Sequence, residues 1–118
     1  MNSEEILVKT RPATSVIDFS RDELIELLRK KLKHHDLINA WLTGSCATGN
    51  AGPWSDIDVV IIKETDLPFP ERCREFQDLL EFGIPVDVFV YTPEEASAMN
   101  ASPTPFWNMF KQQRLKIL

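Results

Sequence analysis

The sequence has few glycines and cysteines and no excess of basic charge. It contains four glycines, two cysteines, and 13 Lys or Arg against 18 Asp or Glu, which gives a net charge of −5. This acidic balance excludes a protein that binds nucleic acids or anionic membranes non-specifically, because both kinds of binding need clustered basic charge. No apolar run approaches the roughly 20 residues of a membrane span, and residues 1–5 are acidic and polar, unlike a signal peptide. We therefore expect a cytoplasmic protein.

The two cysteines, Cys46 and Cys73, could form one disulfide bond or remain free thiols. We predict free thiols, since nothing in the sequence indicates secretion. The 118 residues are 43% hydrophobic, enough to bury a core without a metal or a disulfide, and no linker or repeat divides them. We predict one domain over residues 1–118, with an irregular arm over about residues 1–19.

Hydrophobic periodicity predicts helices and short strands. Ser20 and Glu23 have capping-box spacing before a helix that runs to about residue 35, and Thr92 precedes a proline and two glutamates at a second helix start. Further helices are predicted over residues 71–82 and 106–112, and strands over 37–42, 57–62 and 86–91, with a closing strand or tail over 115–118. Residues 44–55 are predicted to form a loop. This order predicts an α/β or α+β fold with a small mixed sheet flanked by helices.

Two features around this loop break the local pattern. Gly44 and Ser45 directly follow an apolar strand, where a small residue lets the backbone approach a ligand and a hydroxyl can meet a phosphate. Asp56 and Asp58 stand at the start of the most apolar strand, and alternation along a strand places both carboxylates on one face. Charged side chains are rarely placed beside such a strand unless something pairs with them.

Asp87 repeats the anomaly within the next apolar strand. If the two strands are neighbours, Asp56, Asp58 and Asp87 converge, and their repulsion favours bound protons or a hard cation. Mg²⁺ is the usual occupant of such all-oxygen sites, and two ions can activate an attacking oxygen and steady a leaving group. Each feature alone has a simpler explanation, such as a turn, a solubilising strand end or a charge on an edge strand. Their occurrence together, in this order, favours a metal-dependent site.

The same residues resemble the signature of the nucleotidyltransferase superfamily that includes DNA polymerase beta and kanamycin nucleotidyltransferase. The signature consists of Gly44-Ser45, a ten-residue spacer, Asp56-Ile57-Asp58 and the later Asp87. The chain is most similar to the minimal nucleotidyltransferases of prokaryotes, and four spacer residues also fit their pattern: Ala47, Gly49, Ala51 and Ser55. The resemblance covers nearly the whole chain from Ser20 onward and implies a polymerase beta-like fold.

By this resemblance, Gly44 and Ser45 bind the triphosphate, Asp56 and Asp58 coordinate Mg²⁺, and Asp87 completes the catalytic and metal-binding triad. The implied reaction moves a nucleoside monophosphate, usually AMP from ATP, onto an acceptor hydroxyl with release of pyrophosphate. Minimal members of the family are often encoded beside a small helical HEPN-type protein, adenylylate one of its tyrosines and act as antitoxins. The implied partners are therefore a nucleoside triphosphate and a HEPN-type protein, a second copy of this chain, or both.

Cys46 and Thr48 stand where family members commonly carry arginines. Either nucleotide affinity is weak, or a basic residue elsewhere, such as Lys63 or Arg72, substitutes for them. Two other functions stay open beside nucleotidyl transfer. One is a binding module that masks a helical partner without catalysis, and the other is a small-molecule modifying enzyme of the aminoglycoside type.

Overall fold

A four-stranded mixed sheet forms the centre of the computed structural model, which describes residues 12–118. The strands are β1 (Asn39–Thr43), β2 (Ile57–Ile62), β3 (Val86–Tyr91) and β4 (Leu115–Lys116), in the spatial order β3-β2-β1-β4. β1 runs antiparallel to β2 and β4, whereas β2 and β3 are parallel. The predicted small mixed sheet flanked by helices is confirmed.

Four α-helices surround the sheet: α1 (Arg21–Leu32), α2 (Ser45–Thr48), α3 (Pro93–Ala101) and α4 (Pro105–Gln112). Ser20 caps α1 in a reciprocal capping box with Glu23, as its spacing predicted. Thr92 caps α3 at the predicted helix start, and Glu95 completes a second capping box there. α1 ends earlier than the predicted residue 35.

The segment predicted as an α-helix over residues 71–82 is instead a 3₁₀ segment, Phe69–Phe82, interrupted by non-helical backbone at Phe76. Long 3₁₀ runs are uncommon, because their hydrogen-bond geometry is poorer than that of an α-helix. Here tertiary packing holds the segment in place: Phe76 and Leu79 are fully buried, and His35 contacts Asp78 through Nε2 at 3.0 Å. The helical spacing of the apolar residues correctly indicated the burial of Phe76 and Leu79, but Leu80 is exposed and the predicted helix type is wrong.

Two other predicted segments differ from the structure. The loop predicted over residues 44–55 contains α2, whose Cys46 and Ala47 are buried in the core. Residues 1–11 of the predicted arm lie outside the described residues. Within residues 12–19, Ser15 caps a 3₁₀ turn, Val16–Asp18, and Val16 is buried. Both short elements are held by the core more than by local propensity.

The sheet separates two hydrophobic clusters, which define its two faces. The α1 face carries Ile57, Val59 and Ile61 of β2, packed against α1 and the 3₁₀ segment. The α4 face carries Val60 and Ile62 of β2 together with aromatic side chains from β1, β3 and α4. The latter are Trp41, Phe89, Tyr91, Phe106, Trp107 and Phe110. Because side chains alternate along a strand, Asp58 and Asp87 lie on the α4 face.

Both cysteines are free, as predicted, with Cys46 buried and Cys73 exposed. Within residues 12–118, no helix combines the length and the apolar character that crossing a membrane requires.

Candidate active site

Asp58 and Asp87 are adjacent in the sheet. They are register partners on the parallel strands β2 and β3, and Thr43 of β1 is paired with Asp58 from the other side. Neighbouring strands lie about 4.8 Å apart, so the two carboxylates occupy one short row on the α4 face. The sequence could only suggest that these strands were neighbours, and the structure brings the two residues together.

The electrostatics of Asp58 reflect this crowding. Its pKa is raised to about 6, first by burial, then by the negative charges of Asp87 and Asp56, and by a hydrogen bond with Asp87. A carboxyl group close to two other carboxylates keeps its proton up to a higher pH, because the neighbouring negative charges repel its charged form. Asp56 therefore belongs to the same acidic group, although it precedes β2.

Gly44 closes the site from the end of β1. Its backbone has φ of +71°, and a Cβ atom at this position would overlap Oδ2 of Asp58. Only glycine adopts this backbone region readily and leaves this space empty. The sequence predicted a close approach of the backbone to a ligand, and the structure adds that the carboxylate of Asp58 occupies the space that a side chain would take.

The elements around Asp56 are tied together by hydrogen bonds. The thiol of Cys46 in α2 donates to the carbonyl of Asp56 at 3.4 Å, and the amide of Ile57 donates to the carbonyl of Pro85 at 2.9 Å. Burial, followed by the charges of Asp58 and Asp56, raises the pKa of the Cys46 thiol. Cys46 is therefore a packed, protonated thiol that joins α2 to the start of β2.

The donor atoms suit a hard divalent cation. Mg²⁺ binds carboxylate oxygens and typically retains positions for water and substrate phosphates. Burial first, and then repulsion by the neighbouring carboxylates, raises the pKa of Asp58, and a cation beside Asp56 and Asp58 would relieve that repulsion. Within residues 12–118, no three His, Cys, Asp or Glu side chains are arranged as a complete metal site. The assignment of Asp56, Asp58 and Asp87 as metal ligands stays a prediction.

Neither basic residue suggested as a substitute for the missing arginines faces these carboxylates. Lys63 follows the opposite end of β2, where its Nζ donates to the carbonyl of Asp36 at 2.6 Å. Arg72 is buried and binds Glu95 through two guanidinium nitrogens, at 2.5 and 3.2 Å. The interpretation of Lys63 or Arg72 as phosphate-binding residues is wrong, because both have structural partners away from the site.

A groove runs along the outer edge of β3 beside Asp87. Its volume is about 320 Å³, and its lining includes Arg74, Gln77, Leu80 and Phe89. No sequence pattern indicated this groove, because it depends on how the 3₁₀ segment packs beside an edge strand. It gives a second molecule access to Asp87.

The chain belongs to the nucleotidyltransferase domain family, which matches residues 21–115. The family predicted from the Gly-Ser and Asp-x-Asp motifs is thereby confirmed.

The fold is similar to those of several solved structures. A Sulfolobus solfataricus protein assigned as a nucleotidyltransferase has a TM-score of 0.56 and 16% identity, over 92% of this chain and 90% of that chain. The structure of a toxin–antitoxin with AMP-PNP has a TM-score of 0.51 and 19% sequence identity, over 85% of this chain and 73% of that chain. The structure of a mutant of the toxin–antitoxin MntA-HpeT has a TM-score of 0.50 and 17% identity, over the same shares of the two chains. No curated protein gave a match. At these identities the likeness concerns the fold.

Proposed function

We propose that this protein is an Mg²⁺-dependent nucleotidyltransferase that moves AMP from ATP onto an acceptor hydroxyl. The observation that carries this proposal is the pairing of Asp58 with Asp87, packed against Gly44 at the end of β1. Membership of the nucleotidyltransferase family supports transfer of a nucleotide over other reactions that carboxylates and a metal ion can perform.

Each residue of the site has a role in this reaction. Asp56 and Asp58 hold Mg²⁺, which when bound neutralises charge on the phosphates. Gly44 and Ser45 receive the triphosphate at the end of β1. Asp87 takes the proton of the acceptor hydroxyl as its oxygen bonds to the α-phosphorus, and the bond from that phosphorus to pyrophosphate breaks. The chemistry then rests on positioning and charge neutralisation, and the protein forms no covalent intermediate.

The acceptor that we propose is a tyrosine of a helical HEPN-type protein partner, which makes this chain an antitoxin. Two structures with similar folds are described as toxin–antitoxin proteins, and one of them contains AMP-PNP, an ATP analogue. The groove beside Asp87 is open along the sheet edge and has room for an acceptor side chain.

The test is transfer of label from α-³²P-ATP into candidate acceptors, with Mg²⁺, by the wild type and by Asp58→Asn. A host-cell lysate and the purified product of a neighbouring gene serve as acceptors. A labelled band formed by the wild type alone supports the proposal and gives the acceptor mass. Absence of label from every nucleoside triphosphate, with both acceptors, would overturn it.

A second candidate is a module that binds and masks a helical partner without catalysis. The observation favouring it is that Cys46 and Thr48 carry no positive charge, while Lys63 and Arg72 are held elsewhere. In this case Asp58→Asn would form the same complex and neutralise the partner as well as the wild type does. Loss of neutralisation in this variant, with the complex retained, would exclude the candidate.

A further inference from the structure

We propose that Arg114 binds the phosphates of the nucleotide, an inference that rests on the proposed nucleotidyltransferase function. Arg114 directly precedes β4, and the strand register fixes its position. Leu42 of β1 pairs with Leu115, so the next step of this antiparallel ladder places Arg114 opposite Thr43. Thr43 is itself paired with Asp58. One row across the sheet therefore consists of Arg114, Thr43, Asp58 and Asp87.

The side chain of Arg114 lies on the same face as the carboxylates. Its guanidinium carbon is 4.8 Å from the ring centre of Trp41 and 5.1 Å from that of Phe110, and both rings belong to the α4 face. Two strand spacings of about 4.8 Å separate its backbone from that of Asp58. Arg114 and Asp58 thus share one face of the sheet with their backbones about 10 Å apart, a separation that a bound triphosphate can bridge.

The guanidinium of Arg114 is available to a ligand. Arg72 pairs with Glu95 and Arg29 pairs with Glu26, whereas Arg114 forms no ion pair within residues 12–118. The guanidinium carbon lies over both aromatic rings in cation–π contacts. Such contacts use none of the N–H donors of the guanidinium, which stay available for bidentate bonds to phosphate oxygens.

The charges of the site also favour a basic residue on the β4 side of the sheet. A triphosphate carries more negative charge than one divalent ion neutralises, and Cys46 and Thr48 supply none after the Gly44-Ser45 turn. Arg21, the basic residue nearest to α2, donates from its guanidinium to the carbonyl of Ala47 at 3.0 Å. Arg114 therefore places a positive charge at one end of the row across the sheet, and the carboxylates that would hold the metal lie toward the other end.

The test compares the binding of four ligands by isothermal titration calorimetry with Mg²⁺ present: ATP, ADP, AMP and adenosine. The variant is Arg114→Met, which keeps an apolar stem against Trp41 and Phe110. The matched control is Lys116→Gln, which removes the same charge from the same face two residues further along β4. We expect Arg114→Met to weaken ATP binding by at least about tenfold, since hydrogen bonds to charged groups are worth that much. Adenosine binding should stay unchanged, and Lys116→Gln should stay within about twofold for ATP.

The outcomes separate this inference from the proposed function. Equal ATP affinity in the wild type and Arg114→Met overturns the role of Arg114 and leaves the nucleotidyltransferase proposal intact. Equal weakening for ATP and adenosine assigns Arg114 a structural role and also overturns the inference. A wild type that binds no nucleoside triphosphate contradicts the proposed function, and the inference falls with it.

A second measurement uses the unaltered protein, so it holds even if Arg114→Met fails to fold. Phenylglyoxal modifies accessible guanidinium groups, and mass spectrometry locates each modified arginine. We expect MgATP to slow modification of Arg114 at least about fivefold while Arg29, on the α1 side, reacts at an unchanged rate. Unchanged modification of Arg114 at saturating MgATP would overturn the proposal.

Discussion

Asp87 faces Asp58 across two parallel strands, and its charge is second only to burial in raising the pKa of Asp58 to about 6. Two carboxylates placed side by side destabilise the fold unless a proton or a cation lies between them. A protein gains nothing from such a pair in its stability, so the arrangement is best explained by what it binds.

The first prediction concerns replacement of one of these carboxylates. Asp58→Asn removes a half-buried charge that Asp87 and Asp56 repel, so we expect the metal-free variant to melt about 2–5 °C above the wild type at pH 7.5. Nucleotidyl transfer should fall by at least about 100-fold, because the variant loses a ligand of the Mg²⁺ that would neutralise charge on the phosphates. Differential scanning fluorimetry in EDTA and a transfer assay check the two effects.

Asp66→Asn is the matched control for this substitution. Asp66 is exposed and follows the end of β2 opposite to Asp58, so the same change of net charge should leave both the melting temperature and transfer unaltered. A melting temperature for Asp58→Asn at or below that of the wild type would contradict the repulsion.

The second prediction concerns pH. The pKa of Asp58 is about 6 in the folded protein against 3.8 as an unperturbed group, so the folded state binds more protons between these values. The stability that Asp58 contributes is therefore present below about pH 4 and is lost as the pH rises to about 6. The difference in melting temperature between Asp58→Asn and the wild type should widen over this range in EDTA. A difference that stays constant from pH 4 to 7 would refute the shift.

The third prediction concerns the glycine beneath the acidic pair. Gly44→Ala would strain a backbone with φ of +71° and place a Cβ atom against Oδ2 of Asp58, so we expect a loss of about 1–3 kcal/mol in the free energy of unfolding. Chemical denaturation measures this loss. Gly52→Ala is the control, because a Cβ at Gly52 meets no atom within 4 Å. Equal stability of the two alanine variants would show that Gly44 does not pack against Asp58.

Much of the fold could be predicted because its signals are local. β2 and β3 were predicted with their correct ends, since each is an unbroken run of β-branched or aromatic residues around one aspartate. The caps at Ser20 and Thr92 depend on residues three positions away and were also correct. The pattern of the site motif was local too, which is why its residues could be named before their contacts were known.

What could not be predicted depends on residues distant in the chain. The pairing of β4 with β1 is decided by packing over about 70 residues, and without it nothing connects Arg114 with Asp58. The partners of Arg72 are likewise set by the fold of the 3₁₀ segment, so its charge could be mistaken for a free cation. Sequence reasoning named carboxylates that the sheet brings together, but it could not distinguish a structural cation from an available one.

The fourth prediction concerns the two thiols. Cys46 is buried with a raised pKa, and Cys73 is exposed. Because the thiolate is the reactive form, Ellman's reagent should titrate one thiol quickly and the second only in denaturant. Cys73→Ser should abolish the fast phase. A fast phase of two equivalents in the native protein would show that α2 opens readily around Cys46.

The fifth prediction separates structural from ligand-binding arginines. Arg72 donates to the carbonyls of Leu67 and Val90 at 2.9 and 3.1 Å and pairs with Glu95, so it joins the 3₁₀ segment to β3 and α3. Lysine cannot reach these acceptors together, and Arg72→Lys should lower the free energy of unfolding by about 1–3 kcal/mol. The affinity of the Arg72→Lys variant for ATP, measured well below its melting temperature, should equal that of the wild type.

Arg74→Lys is the control for this substitution, because Arg74 is an exposed neighbour on the same segment and its replacement should change stability by less than about 0.5 kcal/mol.

Acidification provides a second measurement of the contact between Arg72 and Glu95. Arg72 lowers the pKa of Glu95, so the stability from this pair is present above the unperturbed value of 4.5 and is lost as the pH falls through the lowered one. Arg72→Lys should therefore lose less stability on acidification than the wild type does. If Arg72→Lys had wild-type stability but bound ATP more weakly, Arg72 would be a phosphate-binding residue. Arg114 would then not be needed for that role.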